Sequence, residues 1–231
     1  GGGGAGGGGA GGGGGGAAAR LKRITSTGDQ EAYGVAASLD GGHVYVVGRS
    51  NGNPTGVDGF GATRVPTNND AFVTKIAIDG SSVAFLEVFG GAGEDFARDV
   101  IVVNHAGVER VFAAGVANGR NAGAGDLFAT GFEVGNVGSK FGWVAEIDRL
   151  TGLPISGISW TTPADDVPIA LALIDGQVIA VGTSSGGFID TFLRAASGED
   201  VILAGLHLAS GVWATRNVVA AGAQRGAAIA A

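Results

Sequence analysis

Six carboxylates stand in three pairs along the chain: Asp29 with Glu31, Glu94 with Asp95, and Asp165 with Asp166. Paired carboxylates support two kinds of chemistry. Held on facing elements with one pKa raised, they act as acid and base in glycosidic cleavage. Gathered around a cavity, their hard oxygens suit Ca2+. A third use is structural, because an aspartate ahead of a strand accepts backbone N–H groups in an Asx-type turn. Each pair lies just before an apolar run, so turn formation is the default role and Ca2+ the alternative. Asp29, Glu31, Glu94, Asp95, Asp165 and Asp166 are therefore the candidate metal ligands, and no residue is assigned to catalysis or to an organic cofactor.

Little other chemistry is on offer. His43, His105 and His207 are scattered, the first two in comparable turns, which is too dispersed for a shared tetrahedral metal. There is no cysteine, so no disulfide, thiol nucleophile or Cys-ligated metal is available. Ser184-Ser185-Gly186-Gly187 is glycine-rich, but no Walker lysine follows it. Trp143, Trp160 and Trp213 suit packing between sheets better than a sugar-stacking platform. With 21 acidic against 14 basic residues the net charge is −7, and no basic block exists, which argues against a nucleic-acid partner. No apolar run reaches membrane-spanning length.

The elements that must position these residues are short. Runs such as Val44–Val47, Ala71–Ile78, Val83–Phe89, Val111–Ala114, Trp143–Ile147 and Val178–Val181 fit strands. Asp40-Gly41-Gly42, Asp79-Gly80 and Asp175-Gly176 between them favour tight hairpins. Alternation in Ala71–Ile78 puts Phe72, Thr74, Ile76 and Ile78 on one face and Ala71, Val73, Lys75 and Ala77 on the other. Only Ala17–Ile24 and the Ala-rich C-terminus resemble helix, and weakly. The fold class is all-β.

The strands recur as a unit about every 60 to 70 residues. The copies cover about 31–89, 95–160 and 166–208. Each second strand closes on a glycine (Gly48, Gly115, Gly182), where a neighbouring chain can approach closely. The third strands are read as Asp70–Ile78, Phe141–Ile147 and Asp190–Arg194, and the fourth as Val83–Phe89, Pro154–Trp160 and Val201–Leu208. Leu21–Thr25 reads as the fourth strand of a preceding unit. Arg49–Asn69 and Ala117–Ser139 are long polar insertions between second and third strands; the third copy leaves only about six residues there on this alignment, within the usual range for a connection. Four-stranded meanders stacked face to face give a partial β-propeller-like arc of about three blades.

Asp70-Ala-Phe-Val-Thr-Lys-Ile76, Phe89-Gly-Gly-Ala-Gly-Glu-Asp-Phe-Ala97 and Val44-Tyr-Val-Val-Gly48 together resemble the bacterial seven-bladed β-propeller repeat of secreted and cell-surface proteins, over about residues 20–208. The second copy departs from it with Lys140 in place of the aspartate. The resemblance implies a non-catalytic extracellular scaffold, and no ligand or catalytic residue comes with it.

Residues 1–19 are all Gly or Ala and hold 14 of the 47 glycines, so a flexible tail is expected there. Residues 20–208 are then the repeat domain and 209–231 an Ala/Gly-rich C-terminal segment. Three blades are too few to close a ring. The expectation is a fragment of a larger surface or secreted protein: a scaffold or interaction module with protein or glycan partners, completed by further blades or a second chain. An isolated arc would expose two apolar sheet faces. The alternatives are calcium-dependent carbohydrate or adhesion binding, and a propeller hydrolase or lyase fragment.

Overall fold

A computed structural model describes residues 25–26, 28–52, 54–55, 69–90, 93–118, 140–160, 165–184 and 200–218. The expected tail and the weak helix candidate Ala17–Ile24 lie outside these residues, as do residues 219–231 of the Ala-rich C-terminus. In chain order the strands are β1 (Thr25–Ser26), β2 (Gln30–Ala37), β3 (His43–Ser50), β4 (Pro54–Thr55), β5 (Asp70–Ala77), β6 (Val83–Phe89), β7 (Phe96–His105), β8 (Val108–Asn118), β9 (Lys140–Ile147), β10 (Pro154–Trp160), β11 (Asp166–Ile174), β12 (Gln177–Ser184), β13 (Asp200–His207) and β14 (Val212–Val218). No helix occurs among the described residues. Three four-stranded antiparallel sheets result, with orders β2-β3-β5-β6, β7-β8-β9-β10 and β11-β12-β13-β14. The all-β class and the repeated meander follow directly.

The hairpins form where the turn chemistry predicts. Asp175 and Gly176 (φ 47° and 72°) join β11 to β12, and Ala106 and Gly107 (φ 52° and 79°) join β7 to β8. Both two-residue turns need positive φ at each centre, which matches the twist of the flanking strands. In the longer β2–β3 turn the Asp40 carboxylate accepts the Ser38 hydroxyl at 2.6 Å and the Gly42 N–H at 2.8 Å.

The third unit corrects the strand reading. Val201–Leu208 belongs to the third strand of its sheet, β13, and the fourth is β14, beyond the expected domain end at Leu208. Asp190–Arg194 lies outside the described residues. The pairing of β12 with β13 places Val181 opposite Leu203 and Ser184 opposite Asp200. The first sheet places Val47 opposite Val73 and Ser50 opposite Asp70. Asp200, not Asp190, thus occupies the Asp70 position. Apolar alternation along the whole of β13 outweighs a two-residue match at Asp190 and Phe192. Residues 185–199 then separate β12 from β13, so all three units carry a long connection there. Of the strand expected at Leu21–Thr25, only Thr25 lies within the described residues; with Ser26 it forms β1, which pairs with β4, Thr25 opposite Thr55.

Two seams join the sheets. Tyr45, Val47, Val73 and Phe85 of the first sheet share a buried cluster with Val111, Ala113, Trp143 and Ile147 of the second. Phe112, Ala114 and Val144, on the opposite face of the second sheet, share another with Val178, Ala180, Ile202 and Leu206 of the third. Burying one such large side chain stabilises by about 1.5–3 kcal/mol. The alternation read in Ala71–Ile78 holds: Ala71 and Val73 enter the first seam, while Phe72 and Ile76 join Val83, Leu86 and Val88 in a separate buried cluster on the far face. That far face is therefore not open, because Phe72 and Val88 are each only 2% exposed, contrary to the expectation of two exposed faces.

The first strands of the units also lie side by side, β7 against β2 and β11 against β7. Each carries a β-bulge at the same point, between Ala32 and Gly34, Ala97 and Asp99, and Pro168 and Ala170. Opposite each bulge sits Gly48, Gly115 or Gly182. A Cβ there would collide with the carbonyl of Glu31, Phe96 or Val167, each two residues before the bulged position. The recurring glycine is thus explained by close backbone approach, as expected from the sequence, and it lies inside the strand rather than at its end.

Candidate functional site

The five candidate carboxylates whose side chains are described, those of Asp29, Glu31, Glu94, Asp95 and Asp165, do not converge. Asp29 is exposed, and its backbone exchanges hydrogen bonds with Asn51, donating to Oδ1 at 2.6 Å and accepting the Asn51 N–H at 3.1 Å. Glu31 is exposed on β2 and pairs with Arg49 of β3 at 2.8 Å. That hydrogen bond, with one from the Tyr33 hydroxyl, holds its carboxyl below the usual range. Glu94 is exposed and accepts the Asn69 Nδ2–H at 3.0 Å. Asp95 is buried and accepts the Asn118 N–H at 2.7 Å, fastening the start of β7 to the end of β8. Asp165 is exposed, and the Asp166 side chain lies outside the described residues. Among the described residues no three His, Asp or Glu side chains are placed to hold a metal ion.

The histidines are equally separate. His43 opens β3, His105 closes β7 and His207 closes β13. His207 serves its own turn: its Nδ1 lies 3.2 Å from the Ser210 hydroxyl and accepts the Ser210 N–H at 3.3 Å. Of the tryptophans, Trp143 is buried in the first seam and Trp213 packs edge-on against Phe112 in the second, as expected for packing residues.

Sequence reasoning missed the carboxylates that tie strands and sheets together. Asp99, next to the bulge of β7, accepts the Leu171 N–H of β11 at 2.7 Å and its neighbour Val100 N–H at 2.9 Å. Glu109 at the start of β8 accepts the Tyr45 hydroxyl at 2.8 Å and the Leu39 N–H at 2.7 Å, bridging the first seam. Burial and this bond push the Tyr45 phenol well up. Nearby, Lys75 is buried over the Tyr45 ring, 5.0 Å from its centroid, and donates to the Arg149 carbonyl at 3.3 Å. Glu146 takes both ends of the Arg110 guanidinium at 2.7 Å. No composition signal marks these residues, because their roles depend on which strands and sheets meet.

Two surface features remain. The first comes from the bulges, which turn Tyr33 and Arg98 out from equivalent positions of β2 and β7. The Arg98 guanidinium carbon lies 5.4 Å from the Tyr33 ring centroid and 4.8 Å from that of Phe96, and the two rings meet edge-on at 6.2 Å. Arg98 is exposed and makes no ion pair with a described residue. The second is an apolar groove of about 440 Å³ on the third sheet, lined by Ile179, Leu203, Val212 and Ala214 with Gln177 and His207. Measured from the recurring glycine, Ile179 and Val181 occupy the positions of Tyr45 and Val47 in the first sheet and of Phe112 and Ala114 in the second. Those are the faces that receive the next sheet, and on the third sheet Val212 is 59% exposed.

Comparison with known proteins returned no matching family model and no matching curated protein.

Proposed function

We propose that the chain is a non-catalytic repeat scaffold of the propeller-like kind. Its three sheets are successive blades of an arc within a larger surface or secreted protein of the seven-bladed β-propeller repeat type. The observation that carries the reading is the open face of the third sheet. It is the equivalent of the two faces that already receive a neighbour, and a further four-stranded unit of the same repeat is the occupant it fits. Further support comes from the carboxylates. Asp95, Asp99, Glu109 and Glu146 each serve a backbone or side-chain partner that holds strands or sheets together. A glycosidase or lyase would instead keep two of them facing one cleft.

The test is sedimentation velocity on the full chain, with an apolar dye as reporter, beside the variant Leu203→Lys. The wild type is expected to self-associate or bind dye through the open face, and the charged variant to do neither while unfolding at a similar temperature. A wild-type chain that stays monomeric at high micromolar concentration and binds no dye overturns the reading.

A further inference from the structure

The Arg98 cluster carries an inference independent of whether more sheets follow. Three side chains from two sheets form it. The Phe96 and Tyr33 rings both lie within the distance at which ring faces attract the guanidinium. A guanidinium fixed in this way keeps its planar fork of donors available, which matches a carboxylate better than a flexible ammonium does. Tyr33 is 39% exposed, so part of its apolar ring also meets solvent. Beside it the Glu31 carboxylate, anchored by Arg49 and by the Tyr33 hydroxyl, presents oxygens that only accept hydrogen bonds. A ligand suited to all three groups has a carboxylate, an apolar face and neighbouring hydroxyl donors.

We infer that Arg98, Tyr33 and Glu31 form a binding site for an acidic sugar, a hexuronate unit. Arg98 pairs with its carboxylate, Tyr33 covers its C–H face and Glu31 accepts its hydroxyls. The chain carries a net charge of −7, so an anion is repelled at long range and its capture depends on this local fork. A single sugar on an open platform binds weakly, with a Kd on the order of 1 mM.

The test is an NMR titration of the full chain with galacturonate, galactose and acetate, repeated on Arg98→Gln, Arg98→Lys and Tyr33→Ala. Saturable shifts are expected with galacturonate, at least tenfold weaker binding of galactose and acetate, and a tenfold or greater loss in each variant. Arg98→Lys keeps the charge and removes the fork, so it serves if Arg98→Gln fails to fold. Absence of saturable galacturonate binding overturns the proposal. So does equal binding of acetate, or undiminished binding by a folded Arg98 variant.

Discussion

The Asp99 carboxylate accepts the Leu171 N–H at 2.7 Å, so a charged side chain of the second sheet caps the edge strand of the third. An edge strand otherwise presents unpaired backbone groups. Asp99 also holds the Val100 N–H, and an amide has only one acceptor atom for these two donors. Asp99→Ala and Asp99→Asn are both expected to lower stability, by about 1–3 kcal/mol. Urea unfolding measures the loss; an Asn variant as stable as the wild type would contradict the two-donor role.

Glycines inside strands of different sheets should respond in opposite ways. A Cβ at Gly115 would collide with the Phe96 carbonyl and the Trp143 ring, whereas a Cβ at Gly205 would meet Val178 O at an ordinary 3.4 Å. Gly115→Ala is expected to destabilise by roughly 2 kcal/mol or more, in the range of overpacking a core. Gly205→Ala should be neutral or gain up to about 1 kcal/mol, because alanine has less backbone entropy to lose. Thermal melts of the two variants decide it.

Removing the Tyr45 hydroxyl isolates the polar link across the first seam. Tyr45→Phe keeps the ring in its buried place and deprives Glu109 of one of two donors. The expected cost is about 1–2 kcal/mol, read by chemical denaturation, with Glu109→Gln costing less than Glu109→Ala.

Acid should weaken the turns. Hydrogen bonds from the Ser38 hydroxyl and the Gly42 N–H hold the Asp40 carboxyl below its ordinary 3.8, and those from the Leu150 and Thr151 N–H groups do the same for Asp148. A carboxyl whose folded pKa is depressed contributes stability that is fully present above the unfolded value. That contribution is lost as pH falls through the folded value. Melting temperature is therefore expected to drop below about pH 4, and less steeply in the double variant Asp40→Asn, Asp148→Asn. Parallel pH profiles would refute the assignment.

Calcium is expected to leave the melting temperature unchanged at millimolar concentration, because the described acidic side chains do not gather. A ligand that binds only the folded state raises stability with the logarithm of its concentration above Kd, so a clear upward shift would support the calcium reading of Asp29, Glu31, Glu94, Asp95, Asp165 and Asp166.

Much of the fold was legible because its causes are local. Period-two alternation placed Val73 and Phe72 on opposite faces, and Asp175-Gly176 marked its own turn. The trio Gly48, Gly115 and Gly182 signalled close approach. What stayed hidden depends on pairing. A bulge is a two-against-one count between strands, so nothing in the local sequence marks Tyr33 or Arg98. Asp99 looks like any strand aspartate until β11 lies beside it. The third unit was misread because a short motif at Asp190 competed with the longer apolar register at Asp200.

The seams have a kinetic consequence. Among the described residues the seams join each sheet to its neighbour in sequence, so opening can begin at an end without disturbing the middle. The two ends are unequal: Phe72 and Leu86 are buried on the far face of the first sheet, while Val212 stands open on the third. Backbone amides of β13 and β14 should therefore exchange with deuterium soonest and those of β8 and β9 last. The molecule has a polarity of fraying, and it unzips from its C-terminal sheet.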